Sequence, residues 1–285
     1  MVDQPTKLNR DFLGKVYHSG PHIVEADSIR NYALATNEKN PLYLGKEPET
    51  HSPLYPVVFL PGILSQLVED AEEMDLNMLR VVHAEHKMSW RDTIHLGDEI
   101  YTTTKLTNME KLGNNEIMDL LVHCKRNNDI VVEMNYRLLI RGEDTGKKKP
   151  AGKAPEPKKG EVLLRHQSFV TADQGLRYAE ASGDHNPIHK SDEIAQSVGL
   201  PRAILHGLCT MALASQAIVE GLLEGNAKRL KNMGVRFSRP VLMDQTLTTE
   251  VYEGELTNDG LHVVHFETRD ENDVPVLTLG TAEFI

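Results

Sequence analysis

The stretch VEADSIRNYALATNEKNPLY, residues 24–43, occurs a second time in altered form as VTADQGLRYAEASGDHNPIH, residues 170–189. Eight of the twenty aligned positions are identical, whereas ordinary amino-acid usage predicts roughly one match in such a window. The identical residues of the first copy are Val24, Ala26, Asp27, Tyr32, Ala33, Ala35, Asn40 and Pro41. Downstream matches pair Pro56, Leu60 and Gly62 with Pro201, Leu205 and Gly207. We therefore interpret the 285-residue chain as two copies of one fold.

Each copy has the same predicted order of elements. A helical stretch before the Asn-Pro pair leads to a long apolar helix, at 59–74 in the first copy and 204–223 in the second. Three segments rich in β-branched residues follow in each copy, separated by Asn, Asp and Gly turn signals. These segments are 99–107, 116–126 and 130–141, and then 246–255, 261–269 and 274–285. Because the helix at 204–223 is apolar on nearly every side, we expect a sheet to wrap round it and bury it.

A change in composition separates the two copies. Residues 142–161 contain no large apolar residue and are dense in Lys, Pro and Gly. A segment of this composition cannot bury a core, so it is predicted to be a solvated linker. The expected organisation is therefore a degenerate first repeat at 1–141, the linker at 142–161 and a catalytic second repeat at 162–285.

Charge and composition argue against several classes of protein. The formal net charge is −11, which disfavours binding to nucleic-acid phosphates. No run approaches the roughly 18 apolar residues of a membrane span, and neither terminus resembles a targeting signal, so the expected compartment is the cytoplasm. Cys124 and Cys209 do not have metal-site spacing and are expected to be small buried residues.

The second copy carries a long motif. YAEASGDHNPIH at 178–189 resembles the signature of the MaoC-like or hydratase-2 family, and LPRAILHG at 200–207 and VRFSRPV at 235–241 resemble the blocks that follow it. The resemblance implies an α+β double hot-dog fold, in which two tandem repeats each have an antiparallel sheet wrapped round a long central helix. It also implies a lyase of fatty acid metabolism that hydrates trans-2-enoyl-CoA to (R)-3-hydroxyacyl-CoA, reversibly.

The motif contains the groups that hydration requires. Water must be held and deprotonated, and a proton must reach the α carbon, which an Asp and a His beside one water can accomplish. Asp184 and His189 flank the turn-forming pair Asn186-Pro187, which can fold a loop so that both side chains face one cavity. We predict Asp184, His189 and Asn186 as catalytic, with the direction of proton flow left open. Gly207, near the start of the apolar helix, is predicted to offer its backbone N–H to the thioester oxygen.

The resemblance also implies a set of substrate-binding residues. They are His83, Ala84, Lys111, Gly183, His206, Arg236 and Phe237. The pair His83-Ala84 stands where the family has His-Gly, and Lys111 falls near a lysine that contacts coenzyme A in that family.

A metal site at His83, Glu85 and His86 is an alternative role for this region. Its spacing is not H-E-x-x-H, and an unbroken strand would place His83 and Glu85 on one face and His86 on the other. We therefore expect no metal, and no cofactor apart from the CoA thioester substrate.

The first copy differs at the positions that carry chemistry. Glu38, Tyr43 and Pro61 stand there in place of Asp184, His189 and His206. Because Tyr is a poor base near neutral pH, this copy is expected to have lost catalysis. The resemblance to tandem-repeat members of the family implies that it binds the acyl chain and part of the CoA, with Val57, Val58 and Phe59 lining the cavity. One chain would then be a pseudo-dimer, and a homodimer of such chains is also compatible with the sequence.

Other functions stay open at this point. The same site can act as a (R)-3-hydroxyacyl thioester dehydratase on acyl carrier protein, although the acidic balance disfavours that partner unless a basic patch with Arg236 and Arg239 counters it. A thioesterase would attack the thioester carbonyl instead. A non-catalytic acyl-CoA binding protein is expected to lose Asp184 or His189, and both are present.

Overall fold

Ten strands form one continuous antiparallel sheet in the computed structural model, which describes residues 7–142 and 160–285. The strands are β1 Val16–Ile23, β2 Val81–Trp90, β3 Glu99–Leu112, β4 Asn115–Arg126, β5 Asp129–Ile140, β6 Val162–Val170, β7 Leu230–Phe237, β8 Gln245–Leu256, β9 His262–Arg269 and β10 Pro275–Phe284. The α-helices of these residues are α1 Ala26–Ala35, α2 Pro41–Leu44, α3 Pro61–Glu69, α4 Gln174–Ser182, α5 Asp192–Ser197 and α6 Gly207–Leu222.

The strand order is that of a duplicated unit. It runs β1-β3-β4-β5-β2 through the first half and β7-β10-β9-β8-β6 through the second. The halves join where β2 pairs with β7, from Glu85 opposite Arg236 to Ser89 opposite Asn232. The three strands predicted for each copy are confirmed, with ends shifted by a few residues. Strand β2 covers the segment 81–90, which the sequence also indicated as a strand, and β1, β6 and β7 are additional, because their sequences lack the clear alternation that marks the others.

The two central helices differ in length. Residues 209–219 of α6 are all buried, as the apolar sequence predicts. The first-half helix α3 has nine residues and ends at Glu69, short of the predicted residue 74. The sequence EDAEE at 69–73 explains the early end, because carboxylates are unfavourable at the negative end of the helix dipole. The second half therefore supplies the long helix around which the sheet wraps.

The halves share one core and a set of polar contacts. Buried residues of both copies form one large apolar cluster that includes most of the α6 side chains, and a second cluster lies within the first half and includes Ile63 and Leu67 of α3. The hydroxyls of Tyr32 and Tyr178, at equivalent positions of the repeat, lie 3.4 Å apart. Gln174 donates to the carbonyl oxygen of Ala35 at 2.6 Å, and Arg177 donates to that of Leu34 at 2.5 Å. These contacts join α1 to α4 across the boundary between the copies.

Several composition-based predictions can be compared with the structure. Cys124 and Cys209 are both free and buried, as predicted. Within the two described ranges, no helix has both the length and the apolar character needed to cross a bilayer. Most of the predicted linker, residues 143–159, lies outside the described residues, so the domain boundaries stay a prediction.

Candidate active site

The Asp184 loop is fixed by its own short-range hydrogen bonds. Helix α4 ends at Ser182, and the next residue, Gly183, caps it. Gly183 has a φ of +75°, a left-handed conformation that favours glycine. Beyond it, the N–H of Asn186 donates to Oδ1 of Asp184 at 3.2 Å. The side-chain oxygen of Asn186 in turn accepts from the N–H of Ile188 and caps a 3-10 turn over Pro187–His189. The sequence between Asp184 and His189 thus folds as the tight turn that the Asn-Pro pair predicts.

Asp184 and His189 are brought together with a third side chain, His206. One oxygen or nitrogen of each residue lies within 4.8 Å of those of the other two. His189 is 9% exposed and His206 is 2% exposed. The two imidazoles are therefore largely shielded from bulk water, whereas Asp184 is partly exposed.

His189 has a defined tautomer. Its Nδ1 lies 2.8 Å from the carbonyl oxygen of Ile204. Since a carbonyl oxygen can only accept, Nδ1 carries the hydrogen and Nε2 keeps a lone pair. Burial lowers the pKa of His189, and the charge of Asp184 partly opposes this effect. The ring is neutral near pH 7, so Nε2 can take a proton from water.

His206 contacts both members of the pair. Its Nε2 lies 3.0 Å from the backbone carbonyl oxygen of Asp184, and its ring stacks on that of His189 with centroids 3.7 Å apart. Its Nδ1 is buried and has no hydrogen-bond partner. Burial, and then the neighbouring His189, lower the pKa of His206 to about 3. This imidazole is therefore neutral at any working pH.

Gly207 begins α6 immediately after His206. The first N–H groups of a helix have no acceptor inside it, so they are available to an external oxygen. A Cβ at Gly207 would lie 3.1 Å from the ring of Phe237. The close packing of Phe237 explains why glycine occupies this position, and it places the predicted residues Gly207 and Phe237 side by side.

His83 reaches the same region from the first half. Its ring lies 4.7 Å from that of Phe237 and 4.9 Å from that of Tyr136. The register of β2 shifts between His83 and Glu85, so His83 pairs with Leu138 and His86 with Tyr136. Both side chains therefore lie on one face of the sheet, with their ring centroids 5.1 Å apart. The prediction that they face opposite sides is wrong, because a bulge at Ala84 adds one residue to the strand.

The remaining predicted substrate-binding residues are dispersed. Arg236 pairs with Glu85 at 2.7 Å, and since it adjoins Phe237 in strand β7 it points to the opposite face of the sheet. Lys111 is exposed near the hairpin end of β3. A Cβ at Gly183 would overlap the ring of Pro61, so the first half restricts this position of the loop to glycine.

The cluster of Asp184, His189 and His206 also has the residue types of a metal site. The planes of its two imidazoles are stacked at an angle of 25°. The lone pairs lie in the ring planes, and the two ligands of a tetrahedral ion must point to one centre. Stacked rings direct their lone pairs side by side and not toward one point. These nitrogens are therefore better placed to accept hydrogen bonds from water than to bind one metal ion together.

Two contacts of the site were not predicted. Pro61 packs on the Asp184 loop from the first half, and Tyr178 packs on His206 with ring centroids 4.8 Å apart. The internal repeat contains a signal for the first of these, because it aligns Pro61 with His206. It shows that the starts of α3 and α6 are equivalent, although it does not show that both meet one loop.

The equivalent side chains of the first half, Glu38 and Tyr43, are buried and almost inaccessible to solvent. Glu38 is 5% exposed and Tyr43 is 1% exposed, and the hydroxyl of Tyr43 has no hydrogen-bond partner. Burial, and then the charge of Glu220, raise the pKa of Glu38 from 4.5 to about 8. Val57 and Phe59 are buried in the core shared by both halves. Their contact with an acyl chain stays a prediction.

Two families match this chain, one in each half. Residues 153–274 match the family described as "MaoC like domain", and residues 11–131 match "FAS1-like, dehydratase domain region". Among sequence relatives, "Probable enoyl-CoA hydratase 2" of Dictyostelium discoideum is 25% identical over 223 residues, 74% of each chain. "Peroxisomal multifunctional enzyme type 2" of Mus musculus is 24% identical over 90% of this chain, which spans only 36% of that protein.

Solved structures support the fold. A MaoC-like dehydratase from Phytophthora capsici superposes with a TM-score of 0.82 at 23% identity, over 98% of both chains. Rv0216 of Mycobacterium tuberculosis, described as having a double hot-dog fold, superposes with a TM-score of 0.65 at 15% identity over 95% of both. The predicted α+β double hot-dog architecture is therefore confirmed.

Proposed function

We propose that this chain is a hydro-lyase that reversibly adds water to trans-2-enoyl-CoA and forms (R)-3-hydroxyacyl-CoA, because its second half matches the MaoC-like domain family and its fold is a double hot-dog. The observation that carries this proposal is the meeting of Asp184 and His189 beside the start of α6. Relatives of this chain are named as enoyl-CoA hydratases, which supports the same reaction.

In the proposed reaction, water lies between the Asp184 carboxylate and Nε2 of His189. Asp184 and His189 together remove a proton from the water while the water oxygen bonds to the β carbon of the substrate. Negative charge moves to the thioester oxygen, and the N–H of Gly207 at the positive end of α6 stabilises it. The pair then returns a proton to the α carbon. Only water and protons are exchanged, so the reaction requires no redox cofactor.

The first half has a supporting role in this proposal. It contributes His83 and Pro61 to the surroundings of the site, and its own carboxyl and phenol are buried. We propose that one chain acts as a pseudo-dimer with a single catalytic centre. The compartment stays a prediction, since the cytoplasm is expected from the sequence and the mouse relative is named as peroxisomal.

The direct test is incubation of the full chain with crotonyl-CoA and with longer trans-2-enoyl-CoAs. We expect loss of the absorbance of the conjugated thioester and formation of the (R)-3-hydroxyacyl product, identified by chiral chromatography. Release of free CoA without hydration would indicate a thioesterase. Saturable binding with no turnover would indicate an acyl-CoA binding protein, and either result would overturn the proposal.

A further inference from the structure

His206 touches both members of the acid/base pair at once. Its Nε2 is 3.0 Å from the backbone oxygen of Asp184, and its ring stacks on His189 with centroids 3.7 Å apart. On its other side it packs against Tyr178. With 2% exposure, it has little freedom to move. A change at this residue would therefore be transmitted to both groups.

The hydrogen bonding of His206 defines what it can donate. A carbonyl oxygen only accepts, so Nε2 carries the hydrogen and Nδ1 carries the lone pair. The unpartnered Nδ1 is therefore an acceptor and cannot stabilise an oxyanion. Because burial keeps the ring neutral, with a pKa of about 3, a second N–H is not available at working pH. A contact between His206 and the thioester oxygen, as a substrate-binding role implies, does not fit this tautomer.

The internal repeat shows what this position does without a histidine. Pro61 aligns with His206 and has no side-chain donor. Both residues meet the Asp184 loop, Pro61 by packing on Gly183 and His206 by a hydrogen bond. Of the two equivalent positions, only that of His206 can hold the backbone of Asp184 by hydrogen bonding.

We propose that His206 is a positioning residue, which holds the Asp184 backbone through its Nε2–H so that the carboxylate and His189 face one water. This role rests on the proposed hydratase function. Small displacements of catalytic groups cost about 10²-fold in rate, so the role predicts an effect on turnover with little effect on substrate binding.

Two substitutions separate the hydrogen bond from the ring. His206→Phe keeps a flat ring but removes the donor, whereas His206→Gln keeps an N–H at a similar reach and removes the ring. We expect Phe to lower kcat by about 10- to 100-fold with KM within about threefold of wild type. Gln is expected to recover most of that loss. His206→Leu replaces Phe as the donorless variant if the larger ring prevents folding.

The matched control is His185→Gln, which changes an exposed histidine of the same loop and is expected to leave kcat unchanged. A donorless variant with wild-type kcat would overturn the proposal, as would a Gln variant as impaired as Phe. A rise in KM at unchanged kcat would also overturn it and would assign His206 to substrate binding.

A measurement without substrate separates this proposal from the proposed function. Burial lowers the pKa of His189 and the charge of Asp184 partly opposes that effect, so displacement of Asp184 should lower this pKa further. We expect NMR titration of His189 to give a lower pKa in the donorless variant and a value near wild type in His206→Gln. Equal values in all three proteins would refute the positioning role. If wild type hydrates no enoyl thioester, the proposed function fails and this titration still decides the role of His206.

Discussion

At the scale of single residues, the site depends on a few side chains set in a loop that both copies share. Asn40 and Asn186 each cap the turn that follows with a side-chain oxygen. The copies therefore differ in chemistry more than in local shape. The proposed acid/base pair, Asp184 and His189, could be selected from the sequence because it lies inside this recurring turn.

We predict that Asp184→Asn and His189→Gln each reduce hydration of crotonyl-CoA by about 10²- to 10⁴-fold, the usual contribution of an acid/base group. The thermal midpoint should change little, because Asn and Gln fill similar volumes and retain polar atoms. Steady-state kinetics and thermal melts test this directly. Retention of more than about a tenth of the activity in either variant would remove that residue from the proposed pair.

His83 shows where residue-level prediction ends. Nothing in VVHAEHKMSW marks the bulge at Ala84 that turns His83 and His86 to one face, because the bulge depends on pairing with β5. Arg236 and Lys111 were carried over from a family resemblance. The facing direction of Arg236 follows from its register opposite Glu85, which is a tertiary property.

At the scale of elements, the start of α6 is the most demanding position. In the proposed reaction Gly207 offers a backbone N–H, and in the structure it also leaves room for Phe237. The sequence predicted a buried helix here from its apolar surface. It overestimated the first-half helix by several residues, because hydrophobicity alone does not show where an acidic run ends a helix.

We predict that Gly207→Val lowers turnover by about 10²-fold, the effect of losing one oxyanion donor. A Cβ would press on the Phe237 ring, and the larger Val side chain would also keep the thioester oxygen away from the helix start. Turnover of saturating crotonyl-CoA by a folded variant measures the effect. Full activity would mean that the oxygen is bound elsewhere.

At the scale of the whole molecule, the proposed function assigns catalysis to the second half alone. The shared core of the two halves and the contacts between α1 and α4 join them in one packed structure, which the repeat and the apolar helix did not predict. The ten-stranded order could not be predicted in full, because the pairing of β2 with β7 is a contact between copies that no local pattern encodes.

The division predicts unequal effects of two tyrosine substitutions. Tyr43→Phe should leave the rate with crotonyl-CoA within about threefold of wild type, since no proton passes through that position. Its hydroxyl has no partner to lose. His189→Tyr, which makes the second copy resemble the first, should reduce the rate to below about a thousandth. Comparable losses in the two variants would contradict a non-catalytic first half.

Glu38 should affect the pH dependence of global stability. Below about pH 4.5 this carboxyl is protonated in both the folded and the unfolded chain. Between pH 4.5 and about 8 only the unfolded chain releases the proton, so the free energy of unfolding falls as pH rises. We predict that Glu38→Gln removes this loss and stabilises the protein by on the order of 3 kcal/mol at pH 7.

Urea denaturation of wild type and Glu38→Gln at several pH values between 4 and 9 measures this difference. The gap between their free energies of unfolding should widen up to about pH 8 and then level off. A gap that is constant with pH would show that Glu38 ionises normally in the folded protein.

Fusion of the copies into one polypeptide has an evolutionary consequence at Pro61 and His206. In a homodimer of a single unit, one gene encodes both subunits. A substitution of histidine by proline at this helix start would therefore occur in both subunits at once. After duplication each position mutates alone. A tandem chain can therefore have a rigid proline ring at one helix start, packed on Gly183, and a hydrogen-bond donor at the other, as Pro61 and His206 show.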